Sequence, residues 1–302
     1  MTETLNFFVS FWLALLATVA SLVLCIRKIP ALTTQKTRAF WGGLCLVGVS
    51  LIVSMLGILF WYRSGALWLI LGTAALMFVT GLYDDRKEFA PALKFLLHTI
   101  VAVIYLAAGG KRILFAGVPE LVNYALSFIW IVGITNAINH LDIKDGLAGG
   151  VAFIITGVLA FIAYSTANSA MIWVLGGLLG GLAAFIIFNL HPAKVYMGNA
   201  GSHCLGFLLA TLAMYVDYNR AHFLVAFAVP LLIFLVPIVD TSILIVSRLS
   251  KGVSVAHKTD DHFFFSLEKK FGITRSLMLF WGASLLSGII AYVIFAVSFY
   301  RR

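Results

Sequence analysis

Residues 170–188 read AMIWVLGGLLGGLAAFIIF, a stretch without a single charged or strongly polar side chain. Its length is close to the roughly 20 residues that a helix needs to cross the hydrocarbon core of a bilayer. A transmembrane strand would alternate between apolar and polar positions, and it would need only about 10 residues. Because every backbone polar group must be paired inside lipid, this stretch predicts a membrane-spanning helix.

The same kind of run recurs along the chain. The 302 residues are 62% hydrophobic and 11% charged, with a mean hydropathy of +1.04. Soluble domains carry about 25% charged residues, so a soluble fold is excluded. We predict a single all-α polytopic membrane domain over 1–302, with about ten transmembrane helices. The predicted spans are 5–26, 41–61, 66–83, 92–108, 121–138, 147–166, 170–188, 201–216, 222–246 and 276–298.

The basic residues predict the orientation of these spans. Arg27 and Lys28 directly follow the first span. If they face the cytoplasm, the cytoplasmic loops hold 15 of the 21 Lys and Arg residues, as the positive-inside rule requires. Both termini would then lie outside. The net charge of +9 is explained by this topology, and nucleic-acid binding is not expected.

The acidic residues gather on the same predicted cytoplasmic side. Nine of the twelve Asp and Glu residues lie there, mostly at helix ends. An ionisable group at the centre of a transmembrane helix costs roughly 2.5 to 3.5 kcal/mol, so such residues are candidates for function. The nine are Asp84, Asp85, Glu88, Asp142, Asp145, Asp240, Asp260, Asp261 and Glu268.

Two pairs of carboxylates stand out. Asp84 and Asp85 end the third span, while Asp142 and Asp145 have the i, i+3 spacing that places two side chains on one face of a helical turn. Two such pairs on one side of the membrane predict a site for a divalent cation. Mg²⁺ takes one or two carboxylates and completes its shell with phosphate oxygens and water. The alternative is that they are solvated charges at helix ends.

Two further polar segments lie on the same side. In "FNLHPAKVYMGNAGSHCLG" (188–206), Gly198 and Gly201 would let the backbone approach a ligand, and Ser202 would bond an oxygen or cap the next helix. A simple turn with a cap is the alternative. In "PIVDTSILIVSR" (237–248), Asp240 is the acid hardest to explain as a surface charge.

Together the four segments resemble the polyprenyl-phosphate N-acetylhexosamine-1-phosphate transferase family, which is glycosyltransferase family 4. The resemblance spans most of the chain, in order, spacing and side of the membrane. The positions that match the four family motifs are Asp84, Asp85 and Lys94; Thr135, Asn136, Ala137, Asn139, Asp142, Asp145, Gly146, Leu147 and Ala148; Asn189, Pro192, Ala193, Tyr196, Met197, Gly198, Gly201 and Ser202; and Pro237, Asp240, Thr241 and Arg248.

The chain departs from the family pattern at several positions. Asn199 stands where the family has an acidic Mg²⁺ ligand, and His262 is what remains of a His-rich element in the last cytoplasmic loop. Lys144 replaces an apolar residue. The other changed positions are Ile143, Phe264, Phe265 and the "KTRAFWGG" segment at 36–43.

The resemblance implies transfer of a phospho-N-acetylhexosamine from a UDP-sugar to polyprenyl (undecaprenyl) phosphate, with release of UMP. The implied cofactor is Mg²⁺, with Mn²⁺ as an alternative. The implied setting is the plasma (inner) membrane of a bacterium, in the synthesis of a cell-wall or lipopolysaccharide (O-antigen) glycan, and a homodimer is compatible with the family. The implied catalytic residues are Asp84, Asp85, Lys94, Asp142 and Asp145. The implied metal ligands are Asp84, Asp85, Asp145 and Asn199. The implied substrate-binding residues are Asn136, Asn139, Asn189, Tyr196, Gly198, Gly201, Ser202, Asp240, Arg248 and His262.

Two other readings stay open. A catalytically silent relative that binds polyprenyl phosphate would explain Asn199 and the missing histidines. A secondary transporter would use intramembrane acids at broken helices to bind cations. Among the histidines, we expect His191 to hydrogen-bond within its loop. We also expect His262 to be solvated beside Asp260 and Asp261 if it has no catalytic role.

Overall fold

The computed structural model describes residues 2–28, 40–113, 115, 118–216, 223–253 and 262–301. Within these ranges the secondary structure is helical and no strand occurs, which confirms an all-α polytopic membrane protein. The helices are α1 (Glu3–Lys28), α2 (Phe40–Tyr62), α3 (Gly65–Lys87), α4 (Pro91–Ala107), α5 (Glu120–Leu141), α6 (Leu147–Ser165), α7 (Ser169–Asn189), α8 (Gly198–Tyr215), α9 (Phe223–Ile233), α10 (Leu235–Ser250), α11 (Phe263–Phe271) and α12 (Ile273–Tyr300).

Each predicted span contains a helix, but the helices differ in length. In the described ranges seven are long and apolar enough to cross a membrane, and the pair α9 and α10 makes an eighth if it is one broken span. The two helices of this pair are bent by 74° at Phe234, whose backbone leaves the helical region (φ −100°, ψ 18°). Helix α4 is a shorter apolar helix. The number of crossings and their orientation therefore stay predictions.

The glycine-rich helix α7 lies against α1 and α2. A Cβ atom at Gly180 would lie 2.1 Å from the Phe11 carbonyl oxygen of α1, and one at Gly181 would lie 2.2 Å from Ser50 Oγ of α2. These distances are far below van der Waals contact, so the backbone of α1 can approach α7 only because residue 180 is glycine, and the Ser50 side chain fits only because residue 181 is glycine. Small residues at such crossings are typical of helix packing in membranes. Close packing is what the run at 170–188 provides.

The first turn of helix α8 packs against glycine residues of α2 and α3. A Cβ at Gly81 of α3 would lie 2.5 Å from Ala200 Cα, and a Cβ at Gly43 of α2 would lie 2.4 Å from the Met197 carbonyl oxygen. The first turn of α8 is therefore wedged between α2 and α3. This contact brings the C-terminal end of α3 to the N-terminal end of α8, which is where the acidic residues lie.

Candidate active site

A polar cavity of about 340 Å³ lies at one end of the helix bundle, which we call the site end. Three segments form its walls: the last turn of α3, the α5–α6 connection and the α7–α8 connection. The cavity, called the site pocket below, is lined by Asp85, Asn139, Asp142, Ile143, Lys144, Asp145, Asn189, Tyr196, Gly198 and Asn199. Segments more than 100 residues apart in sequence thus contribute to one pocket.

Asp85 joins α3 to the start of α8. Its Oδ1 accepts a hydrogen bond from Asn199 N–H (N···O 2.7 Å), and its Oδ2 accepts one from Ala200 N–H (3.0 Å). The first backbone N–H groups of a helix have no partner within the helix, and they attract negative charge. The buried Asp85 carboxylate therefore caps α8 and fixes where the Asn199 side chain begins.

The Asp84 side chain contacts residues outside the start of α8. Its Oδ2 lies 2.7 Å from Lys94 Nζ, and its Oδ1 accepts a hydrogen bond from Phe89 N–H at 2.8 Å. It lines a separate, smaller space together with Lys94, His98 and His203. The structure thus pairs Asp84 with Lys94, two of the predicted catalytic residues, and places Asp84 outside the site pocket. The two carboxylates line different spaces, so this geometry does not match the expectation that Asp84 and Asp85 bind one metal ion.

Asp142 and Asp145 lie on the α5–α6 connection and line the site pocket. Asp145 Oδ2 accepts a hydrogen bond from Ala193 N–H (3.0 Å) and pairs with His191 Nδ1 (3.0 Å), so His191 hydrogen-bonds to the α5–α6 connection instead of within its own loop. Burial, and then the negative charges of Asp85 and Asp145, raises the pKa of Asp142 to about 7. A bound cation would favour the ionised form of this carboxyl.

Three amide and hydroxyl side chains link the connections to one another. Asn189 Oδ1 accepts from Gly146 N–H (3.0 Å) and Asn189 Nδ2 donates to the Val195 carbonyl (2.9 Å), so this buried amide holds the two connections together. Asn139 Nδ2 donates to Ser202 Oγ at 2.8 Å. Asn139 and Asn189 line the site pocket, whereas Ser202 lies behind it as a partner of Asn139.

The predicted glycine and tyrosine positions have separate roles. Gly198 lines the pocket with a left-handed backbone (φ +64°), a conformation that favours glycine. Gly201 faces away, because a Cβ there would lie 3.3 Å from Gly43 Cα. Its missing side chain leaves room for α2, whereas the expectation was that Gly201 would let the backbone approach a ligand. Tyr196 lines the pocket and is half-buried.

Asp240, Arg248 and His262 are all buried, and two of them are in contact. His262 Nδ1 lies 2.9 Å from Asp240 Oδ2. Asp240 lines an apolar groove of about 400 Å³ between α10, α11 and α12, rather than the site pocket. His262 is 5% exposed, so the expectation of a solvated residue differs from the structure; packing of Phe264 against Phe280 (ring centroids 5.3 Å) draws α11 onto the bundle. Asp260 and Asp261 lie outside the described residues.

Two buried histidines lie beside the Asp84–Lys94 pair, and neither is among the predicted site residues. His98 and His203 are in ring contact, with centroids 4.3 Å apart. Within the described part of the chain, neither ring nitrogen of His203 makes a hydrogen bond. His98 lies one helical turn after Lys94, so the i, i+4 spacing was an available signal. Asn136, predicted to bind substrate, lies beside His98 and donates to the Val132 carbonyl instead of lining the pocket.

The pocket has the donor atoms for one hard cation. Over the described ranges, no group of three or more His, Cys, Asp or Glu side chains is arranged to hold a metal ion by itself. Mg²⁺ does not require such a group, because it often binds through one or two carboxylates and substrate phosphates. Asp142, Asp145 and the Asn199 amide oxygen are the residues of this pocket that could supply oxygen ligands to such an ion.

The fold and the site pocket define a class: a multi-pass helical membrane protein with an acidic pocket at one end. Comparison with known proteins gives the family. The profile of glycosyl transferase family 4 matches residues 67–217, which include the carboxylates, Lys94 and Asn199. The chain belongs to this family, as the four motifs predicted.

Three relatives illustrate the similarity. The "probable undecaprenyl-phosphate N-acetylglucosaminyl 1-phosphate transferase" of Bacillus subtilis (strain 168) is 31% identical over 252 residues, which is 80% of this chain and 69% of the relative. A phospho-N-acetylmuramoyl-pentapeptide-transferase from Lactobacillus helveticus (strain DPC 4571) is 33% identical, over 58% of this chain and 60% of the relative. One from Streptococcus pneumoniae (strain 70585) is 28% identical, over 84% and 83%.

Proposed function

We propose that the protein transfers a phospho-N-acetylhexosamine from a UDP-sugar to polyprenyl (undecaprenyl) phosphate, releasing UMP. The product is a sugar linked to the lipid through a diphosphate, for a bacterial envelope glycan made at the plasma (inner) membrane. The observation that carries the proposal is the meeting of Asp85, Asp142 and Asp145 in one pocket of the family-matched region. Beside it lies the Asp84–Lys94 ion pair.

The site pocket is the place for the donor. A UDP-sugar presents a flat uracil ring and a charged diphosphate, and Tyr196 offers an aromatic face in the pocket wall. Asp142, Asp145 and Asn199 would hold Mg²⁺, which neutralises diphosphate charge and polarises phosphoryl oxygens. The hydrogen bonds of Asn189 and Ser202 hold the segments that form the pocket walls in position. The pocket residues therefore bind and orient the donor.

The Asp84–Lys94 pair is the place for the acceptor phosphate. Lys94 supplies positive charge to a lipid phosphate, and Asp84 holds the ammonium in position at 2.7 Å. A phosphate monoester has a second pKa near 6, so at neutral pH it is mostly ionised and needs no strong base. An oxygen of the lipid phosphate attacks the β-phosphorus. The bond from that phosphorus to the bridging oxygen breaks, and UMP leaves with the bridging oxygen.

Asn199 favours a second candidate function. A carboxylate 4 Å from a cation gains about 4 kcal/mol of attraction per unit charge at an effective dielectric of 20, and an amide forgoes this. A catalytically silent protein that binds polyprenyl phosphate is consistent with that loss. The transporter hypothesis lacks comparable support, because Asp84, Asp85, Asp142 and Asp145 lie at helix ends instead of near the bundle centre.

Transfer is tested with the full chain in lipid nanodiscs. We expect radiolabel from one of a panel of UDP-N-acetylhexosamines to enter the organic phase when undecaprenyl phosphate and Mg²⁺ are present, with release of an equal amount of UMP. Asp145→Asn is the matched loss-of-function control. If neither the parent nor Asn199→Asp transfers label from any donor while both bind undecaprenyl phosphate, the silent-relative function replaces this one.

A further inference from the structure

Lys144 brings a positive charge into the wall of the site pocket, between Asp142 and Asp145 in sequence. Its Nζ lies 2.9 Å from Glu268 Oε1 of α11 and 5.5 Å from the centroid of the Phe265 ring. Both partners of the ion pair are partly exposed, with side-chain exposures of 32% for Lys144 and 23% for Glu268. The lysine is therefore neither a buried structural residue nor a freely solvated one.

The ion pair by itself gives little reason for a lysine at this place. Partly exposed pairs contribute little to stability, because water screens the charges and two long side chains must be ordered. A lysine side chain is also a flexible stem with a point charge, which can exchange one anionic partner for another. In the absence of a ligand, Glu268 therefore holds the Lys144 ammonium at the pocket.

The charges that line the site pocket indicate which anion would bind the Lys144 ammonium in place of Glu268. Its carboxylates, Asp85, Asp142 and Asp145, would repel an anionic ligand, and the neutral Asn199 removes a further acidic group from this wall. A donor that carries a diphosphate brings at least two negative charges into the same cavity. Lys144 is the lysine among the residues that line the pocket, so its ammonium is placed to meet that charge.

We propose that Lys144 is a donor-binding residue whose ammonium leaves Glu268 to bind the diphosphate of a nucleoside-diphosphate sugar. The proposal rests on the proposed function, and it adds a specific electrostatic partner for the donor. Glu268 then competes with the donor for Lys144. The competition makes two variants of the same ion pair behave in opposite ways.

The test measures dissociation constants for UDP-N-acetylglucosamine, UDP and uridine on the purified full chain, without lipid acceptor. Lys144→Met should weaken UDP-N-acetylglucosamine and UDP about 10- to 100-fold, the usual effect of losing a charge-assisted hydrogen bond, and leave uridine unchanged. Glu268→Gln should tighten binding of the two diphosphates. Lys269→Met, which removes a charge from an exposed position on α11, is the matched control and should have no effect.

Opposite changes in diphosphate affinity for Lys144→Met and Glu268→Gln distinguish a donor-binding role from a structural one. If the ion pair only fastens α11 to the α5–α6 connection, Lys144→Met and Glu268→Gln weaken binding alike, and the inference is overturned. It is also overturned if Lys144→Met binds UDP as tightly as the parent. If Lys144→Met does not fold, Lys144→Gln replaces it, with thermal unfolding as the check. A parent that binds no UDP-sugar would instead refute the donor step of the proposed function.

Discussion

The capping of α8 by Asp85 positions Asn199 at the site pocket, and Asp85→Asn tests this contact. An amide keeps one acceptor oxygen but turns its other atom into a donor, which then faces a backbone N–H. One of the two hydrogen bonds, at 2.7 and 3.0 Å, is lost, together with the charge at the helix N-terminus. Losing a helix N-cap costs about 0.5–2 kcal/mol, and a charge–dipole contact at a helix end contributes up to about 2 kcal/mol. We expect a local loss of about 1–3 kcal/mol, since a neutral amide is cheaper to bury.

Hydrogen exchange with mass spectrometry measures this loss where it occurs. A change of about 1.4 kcal/mol is tenfold in an opening equilibrium, so the backbone amides of 198–204 should exchange roughly 5- to 150-fold faster in the variant. Peptides from the α1–α7 contact serve as the internal control and should not change. Unchanged exchange at Asn199 and Ala200 would show that the carboxylate does not hold the first turn of α8, and the account of the pocket would have to be abandoned.

Three other outcomes follow from the contacts. His203→Leu should raise the thermal unfolding midpoint, corresponding to about 1–2 kcal/mol, because leucine needs no partner beside His98; a lower midpoint would show that the rings are paired. Asn199→Asp should raise Mg²⁺-dependent transfer at least about tenfold, or about 1.4 kcal/mol, and equal rates would mean that this position does not act on the cation. Cys25 and Cys45, with Sγ atoms 3.8 Å apart, should form an intramolecular disulfide when diamide oxidises them, detected as a loss of two hydrogens by intact mass; Cys25→Ser should abolish it.

Much of the fold follows from local composition. Each apolar run predicted as a span contains a helix, because a long uncharged segment has one way to satisfy its backbone in lipid. The bend within 222–246 was not predictable from hydropathy, since Phe234 is as apolar as its neighbours. The acids at helix ends and their order along the chain also indicated the family, which the profile match at 67–217 confirms.

The sequence by itself determined that this is a helical membrane protein of a recognisable family, because hydropathy and motif spacing are local properties. The tertiary structure alone decided what each polar side chain contacts. Asp84 and Asp85 are adjacent in sequence, yet they point about 100° apart around α3 and meet different helices. Likewise, Gly201 makes room for α2, and Lys144 meets Glu268 from 124 positions away. Such partners depend on how helices distant in sequence pack together, which no local pattern encodes.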